Sequence, residues 1–98
     1  MRNIVGVCAS GLGTSLMIRL NLESVLRELG IRANVEHVDA SSLSYYHPDL
    51  VIGAQHIVES LAEQIGAESI GLASITDKEH LREKLIGSAF YRSWLAGE

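Results

Sequence analysis

Asn3-Ile4-Val5-Gly6-Val7-Cys8-Ala9-Ser10-Gly11-Leu12-Gly13-Thr14-Ser15 is the stretch that decides the fold. It opens on a short, apolar, β-branched run ending at Cys8, the composition of a strand buried on both faces. Gly11 and Gly13 break that run, and a long helical pattern follows. In it Ile18, Leu22, Val25, Leu26 and Leu29 form one apolar stripe. Arg19, Glu23 and Arg27 line another face at the spacing that lets side chains meet, and Gly30 stands where a helix stops. A buried strand feeding an amphipathic helix is half of a parallel crossover unit, because strands separated by helices cannot close as hairpins.

The rest of the chain repeats the unit. Residues 32–39 alternate Ala33, Val35 and His37 with Asn34, Glu36 and Val38, which predicts a second strand at a sheet edge. Residues 40–48 read as a polar loop with some helical or turn content, and residues 49–53 as a third, fully buried strand. Ile57, Val58, Leu61, Ala62 and Ile65 mark a shorter helix that Gly66 ends. Residues 69–73 form a fourth strand. Thr76 and Glu79 have capping-box spacing, which opens a last helix carrying Leu81, Leu85, Ile86 and Ala89 inward. The pattern predicts an α/β fold of three αβα layers around a four-stranded parallel sheet of order 2-1-3-4. Ligands of such sheets bind beyond the carboxyl ends of the strands, where the strand order reverses. Here that is the gap between strands 1 and 3, flanked by residues 8–15 and 53–56.

Composition narrows the functions available. Ninety-eight residues suit one domain spanning 1–98. A net charge of −4, with 8 basic against 12 acidic residues and no basic cluster, argues against nucleic acid as a partner. One cysteine excludes a disulfide framework and a thiolate-built zinc site, and the four histidines show no ligand spacing, so no metal is expected. No apolar run approaches the roughly 20 residues of a membrane span, and the chain enters its first strand directly. The expectation is a reduced, cytoplasmic protein that does not itself span the membrane.

The chemistry concentrates where the first strand meets the first helix. Small residues and two glycines allow the backbone of Ala9, Ser10, Gly11, Leu12 and Gly13 to curl its N–H groups inward as a nest for an anion. A helix beginning near Thr14 or Ser15 adds its unpaired amides and the positive end of its dipole. At the mouth of that nest the Cys8 thiolate is stabilised, and the same amides can hold a phosphoryl group on its sulfur. A cysteine at a strand end is more commonly a small core hydrophobe. The glycine-rich turn directly after it reverses that balance.

Related phosphate motifs are distinguished by what is missing. A Walker loop built on Gly6 and Gly11 wants lysine where Leu12 stands. A dinucleotide fingerprint wants a third glycine where Leu16 stands, although Asp39 at the end of the second strand could meet a ribose. A cysteine phosphatase needs arginine where Thr14 stands. The loop is built to hold a phosphoryl group without the apparatus for hydrolysing it.

Val7-Cys8, followed by Gly11-x-Gly13-Thr14-Ser15-Leu16-Met17 and the helix to Leu29-Gly30, resembles the IIB components of the bacterial sugar phosphotransferase system. The ascorbate-type branch is the nearest, with the galactitol type close by and the lactose/cellobiose type in the same superfamily. The likeness continues more loosely through Val35-Glu36-His37 and Ala54-Gln55-His56-Ile57. The resemblance implies a cytoplasmic domain similar in fold to the low-molecular-weight tyrosine phosphatases. It implies a phosphotransferase with Cys8 as the phosphocysteine and the amides of Ala9, Ser10, Gly11, Leu12, Gly13, Thr14 and Ser15 as its cradle. Its partners would be a IIA phosphohistidine protein, which donates, and a membrane IIC transporter, which holds the sugar acceptor. No cofactor is implied. The alternatives are a small cysteine-dependent phosphatase and a nucleotide- or flavin-binding module.

Other residues carry two readings each. Ser10, Thr14 and Ser15 have hydroxyls for thiolate or phosphate, and equally for capping the helix. His56, at the carboxyl end of the third strand, offers an imidazolium to Cys8 or its phosphoryl group, or simply opens the next helix in solvent. Tyr45-Tyr46-His47-Pro48 either meets a partner or covers one end of the sheet. Phe90 and Trp94 share a helical face and cap the core if the last helix continues. A carrier must meet its partners around the cysteine, so apolar exposure near Leu12, Leu16 and Met17 would mark a docking face.

Overall fold

A computed structural model describes residues 2–8, 12–61 and 63–97. The elements run β1 (Arg2–Cys8), α1 (Leu12–Leu29), β2 (Ala33–Asp39), a 3-10 helix (Ala40–Tyr45), β3 (Leu50–Ala54), α2 (Gln55–Ser60), β4 (Glu68–Leu72), α3 (Lys78–Ile86) and α4 (Ala89–Leu95). The four strands are parallel and lie in the order β2-β1-β3-β4, as the alternation of periods predicts.

Alternation along each strand sorts the core into two layers. Ile4, Val35, Leu50, Ile52, Ile70 and Leu72 face α1, α3 and α4, meeting Ile18, Leu22, Val25, Leu81, Leu85 and Phe90. Val5, Val7, Val38 and Val51 face the other way, against Leu43, Ile57 and Leu61. β1 and β3 are central and apolar on both faces because both faces are covered. Complete burial of residues such as Ile4, Leu22 and Ile52 removes roughly 1.5–3 kcal/mol worth of apolar surface from water apiece.

The long helix behaves as its stripe requires. It stops at Gly30, whose φ of +74° is the left-handed region that lets the chain turn away. The Gly30 N–H donates to Arg27 and the Ile31 N–H to Leu26, a Schellman closure with Ile31 and Leu26 buried together.

Beyond the start of α1, three helix boundaries differ from the expectation. The N-cap of α3 is Asp77, not Thr76: its carboxylate accepts from the His80 amide at 3.2 Å. The helix thus begins one residue later, and Thr76 pairs its hydroxyl with Ser74 instead. Second, α2 leaves helical geometry at Leu61, and the chain continues as turns in which Leu61 accepts from Gln64 and Ile65. Ile57, Val58 and Leu61 are buried as expected, while Ala62 lies outside the described residues. Third, the last helical segment breaks at Gly87 and restarts at Ala89, capped by Ser88, whose hydroxyl accepts from the Tyr91 amide. Ile86, the last residue of α3, lies off the buried Leu81–Leu85 stripe, and Ala89 opens α4 on its outer side, so both face solvent rather than the core. Phe90 is buried, and Trp94 is half-buried, stacked on Tyr91 at 6.4 Å.

Candidate functional site

The carboxyl ends of β1 and β3 lie side by side, with Val7 paired with Gly53. On its other side β1 pairs with β2, and its last residue, Cys8, stands opposite Asp39, the last residue of β2. The connection from β1 to β2 runs through α1 on one face of the sheet, and that from β3 to β4 through α2 on the other. Cys8 therefore ends its strand at the point where strand order reverses, the place where ligands of doubly wound sheets bind.

From Cys8 to the start of α1 the chain has only residues 9–11. The helix begins at Leu12, earlier than the Thr14 or Ser15 start expected from the glycines, because Gly13 is accommodated inside the first turn. The backbone amides of Leu12, Gly13, Thr14 and Ser15 are the ones a helix leaves without internal acceptors, and they carry the positive end of its dipole. No acidic side chain occupies that first turn. A carboxylate there would compete with an incoming anion, and none stands in that turn. Ala9, Ser10 and Gly11 lie outside the described residues, as do the side chains of Cys8, Leu12, Thr14 and Ser15; the expected hydroxyl contacts fall there.

Close packing sets the positions of strand and helix ends. A Cβ on Gly53 would lie 2.8 Å from both the carbonyl oxygen and Cγ2 of Val7. A Cβ on Gly71 of β4 would lie 3.0 Å from Cα of Gln55, the first residue of α2. Glycine at these two places lets β3 sit tight against β1 and lets α2 start low over β4. Neither role was evident in the sequence, although both glycines sit near the ends of apolar runs.

His56 is the second residue of α2 and is exposed, at the same end of the sheet as Cys8. The other histidines have local partners or lie elsewhere. His37 Nδ1 is 3.2 Å from Nη1 of Arg19, and His80 Nε2 accepts from the Ala73 amide at 3.1 Å, pinning the turn after β4. His47 lines a cleft of about 370 Å³ with Tyr46, Pro48, Gln64 and Val51. That cleft opens at the amino ends of β3 and β4, away from Cys8, so residues 46–48 do cover one end of the sheet.

Asp39, a ribose ligand in the dinucleotide reading, spends its carboxylate locally. It caps the 3-10 helix, with Oδ1 accepting from the Ser42 amide and the Ser41 hydroxyl, both at 3.1 Å. Hydrogen bonds from Ser42 and Ser41 hold its carboxyl below the ordinary carboxylate range. Among the described residues, no group of three or more His, Cys, Asp or Glu is placed to hold a metal, and no helix is long and apolar enough to cross a membrane.

The site is thus a strand ending in cysteine, a three-residue connection, and the amino end of a helix, at the switch point of a parallel sheet. Comparison with known proteins gives two matches. The family model of the lactose/cellobiose-specific IIB subunits of the PTS system matches residues 3–86. A protein of Mycoplasma pneumoniae named ascorbate-specific PTS system EIIB component is 25% identical over 85 residues, which cover 85% of this chain and 90% of that protein.

Proposed function

Because the chain belongs to the lactose/cellobiose-specific IIB family of the PTS system, whose members act in sugar phosphotransfer, we propose that its phosphoryl group travels on Cys8. The observation that carries this reading is the short path from Cys8 at the end of β1 to the amino end of α1. The Cys8 thiolate attacks the phosphorus of a phosphohistidine on a IIA partner. The S–P bond forms as the N–P bond breaks, and the departing imidazole nitrogen keeps the electron pair. In the second step a hydroxyl of the sugar held by a membrane IIC partner attacks phosphorus. The S–P bond breaks, the thiolate returns, and the hydroxyl proton goes to a base on the transporter.

The protein's part is positioning and charge stabilisation. The amides of Ala9, Ser10, Gly11, Leu12, Gly13, Thr14 and Ser15 hold the three phosphoryl oxygens, whose charge grows in the transition state. His56, exposed at the same end of the sheet, is the candidate further contact at the rim. Thr14 stands where a hydrolytic enzyme of this type has arginine, so water is given little help and the phosphocysteine survives for relay. The name of the Mycoplasma relative favours ascorbate or a similar polyol as the final acceptor. A donor charged in the cytoplasm implies that the chain works there too.

Mass spectrometry after incubation with phosphoenolpyruvate, the general phosphotransferase proteins and the IIA partner tests the reading. One phosphoryl group on Cys8, absent from Cys8→Ser, is the expected result. Label on a histidine that persists in Cys8→Ser would overturn it.

A further inference from the structure

We propose that the Asp39 carboxylate sets how readily Cys8 holds negative charge, and thereby how readily it gives up its phosphoryl group; this rests on the phosphoryl-carrier reading above. Cys8 and Asp39 are the last residues of β1 and β2 and are register partners on neighbouring parallel strands. Such strands lie about 4.8 Å apart, and an aspartate reaches about 4 Å beyond its own Cα, so the charge lies within about 9 Å of the Cys8 backbone. The carboxylate is held there. Its Oδ1 accepts from the Ser42 amide and the Ser41 hydroxyl, both at 3.1 Å, which ties the side chain to the corner between β2 and the 3-10 helix. The same hydrogen bonds keep the carboxyl below the ordinary carboxylate range, and it is charged at neutral pH.

The other charges around Cys8 act differently. The amino end of α1 is the positive pole of a helix dipole and favours an anion at the cysteine. His56 is exposed on α2. Arg19, about two turns into α1, is engaged by Glu23 at 3.5 Å and by His37 at 3.2 Å. Asp77 caps α3 beyond β4, two strands from β1. Asp39 is thus the carboxylate in register with the cysteine, and its charge opposes the helix end. Phosphoryl acceptance takes Cys8 from a thiolate, with one negative charge, to a phosphocysteine, with about two, while the N–P electron pair stays on the donor's imidazole. A site that only attracted negative charge would stabilise this product and slow its release to the sugar. A fixed anion beside it leaves the phosphocysteine less stable than the cradle alone would, so the S–P bond breaks more readily in the second step. At about 8 Å, across a partly solvated surface, one unit charge shifts such an equilibrium about two- to fourfold.

The test uses the full chain. Asp39→Asn removes the charge and leaves an oxygen for the Ser42 amide, an exchange that helix caps tolerate. Ser41→Ala loosens the same corner but keeps the charge, and Asp77→Asn removes a carboxylate two strands away. The pH dependence of Cys8 alkylation in the unphosphorylated protein reads the thiol directly. Asp39→Asn is expected to lower the thiol pKa, giving about two- to fourfold more thiolate at a pH below the midpoint. That shift is expected to shrink from about 0.05 M to about 0.5 M salt, as a screened charge requires. Ser41→Ala and Asp77→Asn are expected to leave the titration close to that of the unaltered chain. At equilibrium with the phosphorylated IIA protein of the same transport system, Asp39→Asn is expected to move the ratio toward phosphocysteine by a similar factor. An unchanged titration in Asp39→Asn, an equal shift in either control, or a shift indifferent to salt would overturn the proposal. So would a phosphoryl equilibrium that stays in place while the titration moves. A titration that moves as expected while no label reaches Cys8 overturns the carrier reading instead, which separates the two claims.

Discussion

The carbonyl oxygen of Val7 lies 2.8 Å from where a side chain on Gly53 would begin. The two residues are paired neighbours of β1 and β3, directly before the site. The obstructing atoms include backbone, which cannot rotate aside, so Gly53→Ala must push the two strands apart. A loss of about 1–3 kcal/mol is expected, read from the urea midpoint. The displacement falls next to Cys8, so phosphoryl acceptance should slow in the fraction that remains folded.

The short helix α4 is held by a carboxylate from another element. Glu68 at the start of β4 accepts from the amides of Ala89 and Phe90 at 2.8 and 2.6 Å, an anion on a helix amino end. Glu68→Ala removes both acceptors and should cost about 1–2 kcal/mol. Glu68→Gln keeps one oxygen without the charge and should cost less. Tryptophan fluorescence of the sole Trp94, stacked on Tyr91, reports the loosening directly.

Asp39 makes stability depend on acid. Its folded-state pKa is lowered, first by the hydrogen bonds from Ser42 and Ser41. A depressed carboxyl contributes stability that is complete above its unfolded pKa and fades as pH falls through the folded value. Asp39→Asn should therefore lower the neutral plateau of the stability profile and flatten its acid limb, with little change at pH values below the folded pKa. An NMR titration of the Asp39 carboxyl gives the direction independently.

Gly30 and Gly66 are alike in the space around them and differ in backbone conformation. A Cβ at either meets nothing within 4 Å, yet Gly30 has φ +74° and Gly66 is not among the positive-φ glycines. Gly30→Ala should destabilise by about 1 kcal/mol through backbone strain. Gly66→Ala should be neutral or stabilising by up to about 1 kcal/mol, because it restricts only the unfolded chain. Paired thermal melts decide it.

The sequence by itself determined the topology. Two apolar strands, each running into an amphipathic helix, allow only parallel pairing with crossovers on both faces, and this places Cys8 at the switch point. The stripe from Ile18 to Leu29 and its stop at Gly30 were legible for the same reason: they are periodic and local. The structure decided the local details a period does not resolve and what depends on groups distant in sequence. Asp77 displaces Thr76 as the cap of α3, and Gly87 and Ser88 split the last helix, so that Ala89 opens α4 instead of continuing α3. Glu68 reaches across to hold α4, and Leu20 joins Leu16 and Met17 on the solvent side. A helix period shows which residues can share a face, but which faces are covered depends on where the other layers pack.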